Sequence, residues 1–191
     1  MIRPALQLVA YGELAFCWVA WSAAFIQPFR KSTRQRSVAK NPAARWGMLL
    51  NVLGCVCIWS DVRPTGFQKS MPELIASMVL GPLSVILAWS ATRHLGKFWR
   101  YEAALNANHE LVKTGPYAWI RHPIYLSMLG MLLASGAAYS WWPTLIVGVL
   151  LFLIGAEIRT KAEDKLLEMY FQDEFIEYRA RVRSSYIPLI R

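Results

Sequence analysis

The chain has 191 residues, of which 55% are hydrophobic and only 17% are charged, and its formal net charge at pH 7 is +9. This composition is too apolar for an ordinary soluble domain of the same length and is typical of a membrane protein. A basic inner face that meets anionic lipid headgroups accounts for the positive charge, so we expect no nucleic-acid partner.

Five apolar segments approach the roughly 20 residues that a transmembrane helix needs. They cover residues 5–29, 43–60, 72–92, 123–138 and 141–158. Only Tyr139 and Ser140 separate the last two segments, which predicts a tight antiparallel hairpin. The sequence therefore predicts an all-α integral membrane protein with about five transmembrane helices. We expect one domain over residues 1–191, with three N-terminal membrane helices in 1–92 and the functional region in 93–191.

The basic residues predict the orientation of these segments. The loop between the first two segments carries six basic residues and no acidic one: Arg30, Lys31, Arg34, Arg36, Lys40 and Arg45. The positive-inside rule places this loop in the cytoplasm and the N-terminus outside. Of the 21 basic residues, 18 then lie on the cytoplasmic side and only Arg3, Arg63 and Lys69 lie outside. We expect a bacterial inner membrane or its equivalent.

The polar residues concentrate in two regions, 93–122 and 157–191, which this topology places together on the cytoplasmic side. Helix-forming residues run on from the fifth segment to about residue 182, with Leu167, Phe171 and Phe175 spaced four apart. This apolar stripe fits either a helix that lies on lipid or a cover over a bound ligand. The sequence predicts one continuous helix here.

Two charged residues, Arg159 and Glu163, lie four apart on the same predicted helix and share one face. An intrahelical ion pair is the simplest interpretation, and exposed pairs of this kind contribute only about 0.3 to 0.5 kcal/mol. The alternative is a ligand site, because both residues emerge opposite the two histidines of the preceding loop.

The cysteines offer no metal or disulfide pattern. Cys17, Cys55 and Cys57 lie inside apolar segments, without the spacing of a zinc site. We interpret them as buried small hydrophobic residues and predict no metal. His94 has no motif around it, and we interpret it as structural.

One stretch carries most of the chemical information. Residues 109–125 read HELVKTGPYAWIRHPIY, and Arg159, Glu163 and Asp164 follow at a fixed distance. Leu167, Phe171, Tyr178, Val182 and the pair Ile187-Pro188 come next. In this order and spacing, roughly from residue 95 to 188, the chain resembles the isoprenylcysteine carboxyl methyltransferase and phospholipid methyltransferase family.

The resemblance implies an integral membrane enzyme that binds S-adenosylmethionine between helices and a cytoplasmic loop. It implies that the cofactor is held by Glu102, His109, Glu110, Leu111, Val112, Tyr117, His122, Pro123, Ile124, Tyr125 and Glu163. It also implies that Arg159 meets the methyl acceptor, so that Arg159 and Glu163 are the catalytic residues. Two positions depart from the family pattern. Asp164 replaces a second glutamate and keeps its charge, while Gln172 replaces a glycine and puts the bend of the last helix in question.

The membrane setting predicts an amphiphilic acceptor, such as a prenylated cysteine carboxylate, another lipid acid or a phospholipid amine. A carboxylate acceptor needs no general base, whereas an amine must first lose a proton. His109 and His122 have the intrinsic pKa for that step, but we favour a binding role for both.

Two other classes compete with a methyltransferase. A reductase of the membrane sterol type shares features of the C-terminal region and binds NADPH, but such enzymes usually have more membrane helices. A small transporter or assembly protein is the non-enzymatic alternative. Against it, the polar cluster is interfacial, while transporter sites usually lie at the midplane.

Overall fold

A computed structural model describes residues 2–26, 37–61, 69–99, 104–106 and 110–187. The longer helices in these ranges are α1 (Ile2–Ala23), α2 (Ala44–Ser60), α3 (Met71–Leu95), α4 (Pro123–Tyr139), α5 (Trp142–Phe171) and α6 (Asp173–Arg181). Short 3-10 helices cover Gly96–Phe98 and Gly115–Ala118. The helical architecture predicted from the sequence is confirmed.

One short strand pair adds to the helical fold. Strand β1 (Ser37–Lys40) pairs antiparallel with β2 (Ala104–Asn106), so the backbone before α2 meets the backbone that follows α3. The all-α prediction missed this pair, because strands of four and three residues are too short to show the alternation of apolar and polar residues that predicts a strand.

The outer faces of the helices are apolar and their inner faces carry small or polar residues. On α3, Ile75, Val79, Leu83 and Ile86 are between 52% and 65% exposed, whereas Ser77 and Ser84 are buried. This distribution is the reverse of a water-soluble helix and suits lipid contact. By length and hydropathy, Met71–Phe98 qualifies as a membrane span, and Ala44–Ser60 and Pro123–Tyr139 are shorter apolar helices. Five spans therefore stay a prediction.

Helices α2 and α5 approach closely through two pairs of glycines. A Cβ added to Gly47 would lie 2.5 Å from the Gly155 carbonyl oxygen and 2.6 Å from Cγ of Arg159. Gly54 and Gly148 form the equivalent pair one heptad along. Small residues of this kind let membrane helices pack backbone to backbone. The contact fixes Arg159 against the beginning of α2.

Helix α4 lies at the centre of the molecule and packs chiefly against α3, while α5 packs chiefly against α2. The indole nitrogens of Trp18 and Trp21 on α1 donate hydrogen bonds to Ser135 (3.1 Å) and Ser127 (3.3 Å) on α4. Ser140 and Trp141 join α4 to α5, one residue later than expected. The two helices share a core cluster, yet each packs mainly on another partner, so the tight hairpin stays a prediction.

The predicted continuous C-terminal helix is wrong, because it breaks at Gln172. This residue has a φ of +47°, and α6 begins at the next residue. Across the break, Leu167, Phe171 and Phe175 pack with other apolar side chains in one cluster. Phe175 is fully buried there. The stripe therefore contributes to an internal contact between α5 and α6.

Candidate active site

The site forms where four parts of the chain meet: the loop before α4, the first turn of α4, the middle of α5 and the backbone after α6. The backbone N–H groups of Arg121 and His122 donate to the carbonyl oxygens of Ser184 (3.0 Å) and Ser185 (2.8 Å). The chain after α6 thus pairs with the residues that precede α4. Because α5 packs under both, the loop and the extension of α5 meet as expected.

Glu163, Tyr125 and Arg159 form the centre of the site. The Tyr125 hydroxyl donates to Oε1 of Glu163 at 2.5 Å and accepts from Nε of Arg159 at 2.6 Å. Nη2 of Arg159 also lies 3.6 Å from Oε1 of Glu163, and its guanidinium lies 5.7 Å from the centre of the Tyr125 ring. Arg159 is 7% exposed. The pair predicted from the sequence is thus part of a buried three-residue network.

His122 lies between two carboxylates. Its Nε2 is 2.7 Å from Oδ1 of Asp164, and its Nδ1 is 3.4 Å from Oε2 of Glu163. Burial alone would lower the pKa of the imidazole, but the hydrogen bonds and negative charges of Asp164 and Glu163 outweigh burial and raise the pKa to about 9. An acceptor at each ring nitrogen is satisfied only when both nitrogens carry a proton. His122 is therefore an imidazolium at neutral pH.

The two carboxylates are held in their charged form. Burial opposes ionisation of Glu163, yet the hydrogen bond and charge of His122, the charge of Arg159 and the Tyr125 hydroxyl together lower its pKa. Burial likewise opposes ionisation of Asp164, and His122 with Arg121 lowers its pKa. The side chain of Glu163 stays 25% exposed, so it is the carboxylate that a cationic ligand can reach.

Arg121 is a component of the site that the sequence reasoning missed. Its Nη1 donates to the carbonyl oxygens of Val182 (2.6 Å) and Arg183 (2.8 Å), and its Nη2 lies 3.4 Å from Oδ2 of Asp164. One guanidinium therefore connects the loop, α5 and the chain after α6. The signal in the sequence is an arginine directly before His122, at a position to which the family resemblance assigns no role.

The loop that precedes His122 is fastened to α6. The Tyr178 hydroxyl donates to the Tyr117 carbonyl oxygen at 2.7 Å, and Lys113 pairs with Glu174 at 2.7 Å. Burial, with the negative charge of Glu163, raises the pKa of the Tyr117 phenol. Tyr117 is thus a neutral, largely buried ring near the carboxylates.

A glycine turn shapes the start of this loop. Gly115 has a φ of +60°, and a Cβ there would overlap the His94 ring. Nδ1 of that ring lies 2.7 Å from the Ser90 carbonyl oxygen. The structure therefore agrees with a structural role for His94, which supports the loop from the end of α3.

The structure brings His122, Tyr125, Arg159 and Glu163 together, as the sequence predicted. The other predicted cofactor residues are not part of this hydrogen-bonded network. Pro123 is buried at the first position of α4, Ile124 is half-buried beside it, Leu111 and Val112 are half-buried, and Glu110 is exposed. Leu111 packs against the α6 cluster. Glu102 and His109 lie outside the described residues.

Comparisons with known proteins identify relatives of this sequence. The profile of the isoprenylcysteine carboxyl methyltransferase (ICMT) family matches residues 75–169. The uncharacterized protein YpbQ of Bacillus subtilis is 31% identical over 143 residues, which is 71% of this chain and 84% of that protein.

A yeast enzyme with a named activity matches a shorter region. Protein-S-isoprenylcysteine O-methyltransferase of Saccharomyces cerevisiae is 32% identical over 84 residues, which cover 44% of this chain but 35% of the yeast protein. The matched profile includes His122, Tyr125, Arg159 and Glu163, and it ends before the backbone that follows α6. The chain therefore belongs to the isoprenylcysteine carboxyl methyltransferase family, a family of membrane methyltransferases.

Proposed function

We propose that the protein transfers a methyl group from S-adenosylmethionine to the carboxylate of an amphiphilic acceptor, such as an isoprenylcysteine. The observation that carries the proposal is the network of Arg159, Tyr125, Glu163 and His122, whose members lie 2.5 to 3.6 Å apart. It presents the partly exposed Glu163 carboxylate beside the buried Arg159 guanidinium. A donor that carries positive charge and an acceptor that carries negative charge need this pairing.

The residues present fit a sulfonium cofactor. Glu163 is ionised and 25% exposed, and a carboxylate is a suitable partner for the ammonium and sulfonium groups of the donor. Tyr117 offers a neutral ring for an adenosyl group. When bound, S-adenosylmethionine supplies an electrophilic methyl group, which passes to the acceptor oxygen as the carbon–sulfur bond breaks and sulfur keeps the electron pair.

Arg159 is the residue that orients the acceptor in this proposal. Its guanidinium is held by the Tyr125 hydroxyl on Nε and lies close to Glu163, so it is fixed before an acceptor arrives. A guanidinium can bind a carboxylate through paired hydrogen bonds. Because the Glu163 carboxylate partly neutralises the Arg159 guanidinium, Arg159 positions the acceptor carboxylate without fully neutralising it. The acceptor therefore keeps its nucleophilicity.

The state of His122 favours a carboxylate acceptor over an amine. The imidazolium is flanked by Asp164 and Glu163, so neither ring nitrogen has a lone pair to accept a proton from an ammonium group. Displacement by a carboxylate releases no proton and needs no base. His122 instead holds Glu163 and Asp164 in place, and the cofactor contact predicted for it stays a prediction.

The membrane setting supports an acceptor with a lipid tail. The exposed apolar faces of α2, α3 and α5 suit a hydrocarbon environment, and the site lies at one end of these helices. An acceptor can then keep its tail in the bilayer while its polar head reaches Arg159. The positive-inside rule assigns this end to the cytoplasm, where S-adenosylmethionine is made.

Calorimetric titration of the detergent-purified protein tests the cofactor. We expect S-adenosylmethionine and its demethylated product to bind and NADPH not to bind. Glu163→Gln should weaken binding of S-adenosylmethionine about tenfold to a hundredfold, because a charged hydrogen bond contributes about 1.5 to 3 kcal/mol. Binding of NADPH in place of the methyl donor would contradict the proposal and favour a reductase.

Two further variants sharpen this test. Glu168→Gln removes a carboxylate from the same helix, where it pairs with the exposed Arg179, and should leave cofactor binding unchanged. Arg159→Ala should leave cofactor binding within a few-fold of wild type but abolish methyl transfer. Equal loss of cofactor affinity in Arg159→Ala and Glu163→Gln would overturn this division of roles.

A further inference from the structure

A second polar groove lies next to the candidate site. It is formed by the face of α5 that carries Lys161 and Lys165, by α6 and by residues 183–185. Arg121 and Asp164 line it and separate it from Glu163 and Arg159. Nothing in the proposed methyl transfer uses this groove.

Positive charge dominates the groove. Three ion pairs lie along its wall: Lys161 with Glu157 (3.0 Å), Arg179 with Glu168 (2.8 Å) and Arg121 with Asp164 (3.4 Å). Lys165 and Arg183 also line the groove, and no acidic side chain in the described part of the chain pairs with either of them. The wall therefore has an excess of two positive charges.

Arg121 gives a second indication that the groove takes a ligand. Arg121 is 9% exposed and lines the groove, yet its Nε has no hydrogen-bond partner among the described residues. A buried N–H of a guanidinium without an acceptor is costly. An anionic oxygen in the groove, admitted by a small shift of the side chain, would satisfy it.

The rim of the groove is apolar. Met169 is 62% exposed and Ile176 is 46% exposed, and both line it. Lys161 and Lys165 follow the predicted end of the membrane segment, Ile158, by three and seven residues, which is about 5 and 10 Å along a helix. Lipid headgroups occupy about this depth outside the hydrocarbon. Basic residues beside exposed apolar ones are typical of surfaces that bind anionic lipid.

We infer that this groove binds the headgroup of an anionic phospholipid from the surrounding bilayer, with the phosphate near Lys165 and Arg183. The inference goes beyond the proposed function and does not depend on the identity of the methyl donor or acceptor. Bound lipid would connect α5, α6 and the chain after α6, where Arg121 already joins the first and last of these elements.

Thermal unfolding in detergent tests the inference without an activity assay. The protein, in dodecyl maltoside, is titrated with phosphatidylglycerol, phosphatidylcholine or inorganic phosphate, and the midpoint is followed by tryptophan fluorescence. We expect phosphatidylglycerol alone to raise the midpoint, with saturation. Lys165→Gln/Arg183→Gln should weaken this response about 30-fold in lipid concentration, since two basic charges are removed.

The matched control is Lys97→Gln/Arg181→Gln, which removes two exposed basic charges outside the groove. It should respond to phosphatidylglycerol as the wild type does, and both double variants should melt like the wild type in phosphatidylcholine. If both double variants lost the response to phosphatidylglycerol equally, the lipid would be attracted by the overall charge of the protein, and the inference would be overturned. Stabilisation by inorganic phosphate at the same concentrations, or no response of the wild type to phosphatidylglycerol, would also overturn it.

Discussion

The imidazolium of His122 predicts a specific dependence of stability on pH. Its pKa rises from an ordinary value of 6.5 to about 9 in the folded protein, because Asp164 and Glu163 outweigh the effect of burial. A group whose pKa is raised by folding stabilises the fold fully below its unfolded pKa and loses that contribution as the pH rises through its folded pKa. The shift corresponds to about 3 kcal/mol, since a tenfold change in proton affinity is worth about 1.4 kcal/mol.

Thermal unfolding in detergent between pH 6 and pH 10 measures this contribution. We expect the wild-type midpoint to fall between pH 6.5 and pH 9 by roughly 6 to 12 °C for a chain of this size. The midpoint of His122→Gln should be lower than that of the wild type at pH 6 and should not show this fall with pH. His94→Gln, which changes a histidine outside the network, should keep it. A wild-type midpoint that is flat across this range, or an unchanged slope in His122→Gln, would refute the assignment of an imidazolium.

Further predictions concern the parts that hold the network. Gly47→Ala should lower the unfolding midpoint and the methyl-transfer rate together, because its Cβ would lie 2.6 Å from Cγ of Arg159, whereas Gly12→Ala, with open space around it, should do neither. Gln172→Gly should stabilise the fold by about 1 kcal/mol in thermal unfolding, since glycine tolerates the φ of +47° better, and destabilisation there would contradict the strain argument. Tyr178→Phe, which removes the bond to the Tyr117 carbonyl, should weaken cofactor binding in calorimetry more than it changes the rate at saturation. An unchanged affinity would show that α6 does not hold the loop for the cofactor.

The meeting of the loop with α5 could be predicted from the sequence. Positive residues indicated the expected orientation, and apolar segments predicted the bounds of α2, α3 and α4 to within three residues. Histidine, arginine and glutamate at family spacing then indicated which side chains converge. A site built from side chains can be predicted in this way because its residue types, such as those of His122 and Glu163, are chemically distinctive.

The contacts made by backbone atoms could not be predicted in the same way. Every residue has a backbone carbonyl, so a carbonyl that accepts a hydrogen bond leaves no mark in the sequence. This applies to the acceptors of the Arg121 side chain, which are Val182 and Arg183, and to the backbone acceptors Ser184 and Ser185. The helix break has a different cause. Gln172 is a good helix former that stands where the family pattern has a glycine, and the chain keeps the positive φ without the glycine that would indicate it.

One missed feature did leave a signal. Gly47 and Gly54 on α2, and Gly148 and Gly155 on α5, each repeat at seven residues, which brings small residues to one helix face about every two turns. This spacing predicts close packing of α2 against α5, and hence the position of Arg159. Their contact is the physical reason that a long arginine side chain is buried at the end of an apolar helix.

The most direct test of the account is transfer of a radiolabelled methyl group from S-adenosylmethionine to a synthetic S-farnesylated cysteine by the purified protein in lipid. Mild base releases labelled methanol from a methyl ester but leaves a methylated amine intact, so it reports the atom that was methylated. We predict base-labile label with the wild type and none with Arg159→Ala. Absence of transfer to any lipid carboxylate, or label that resists base, would contradict the central claim.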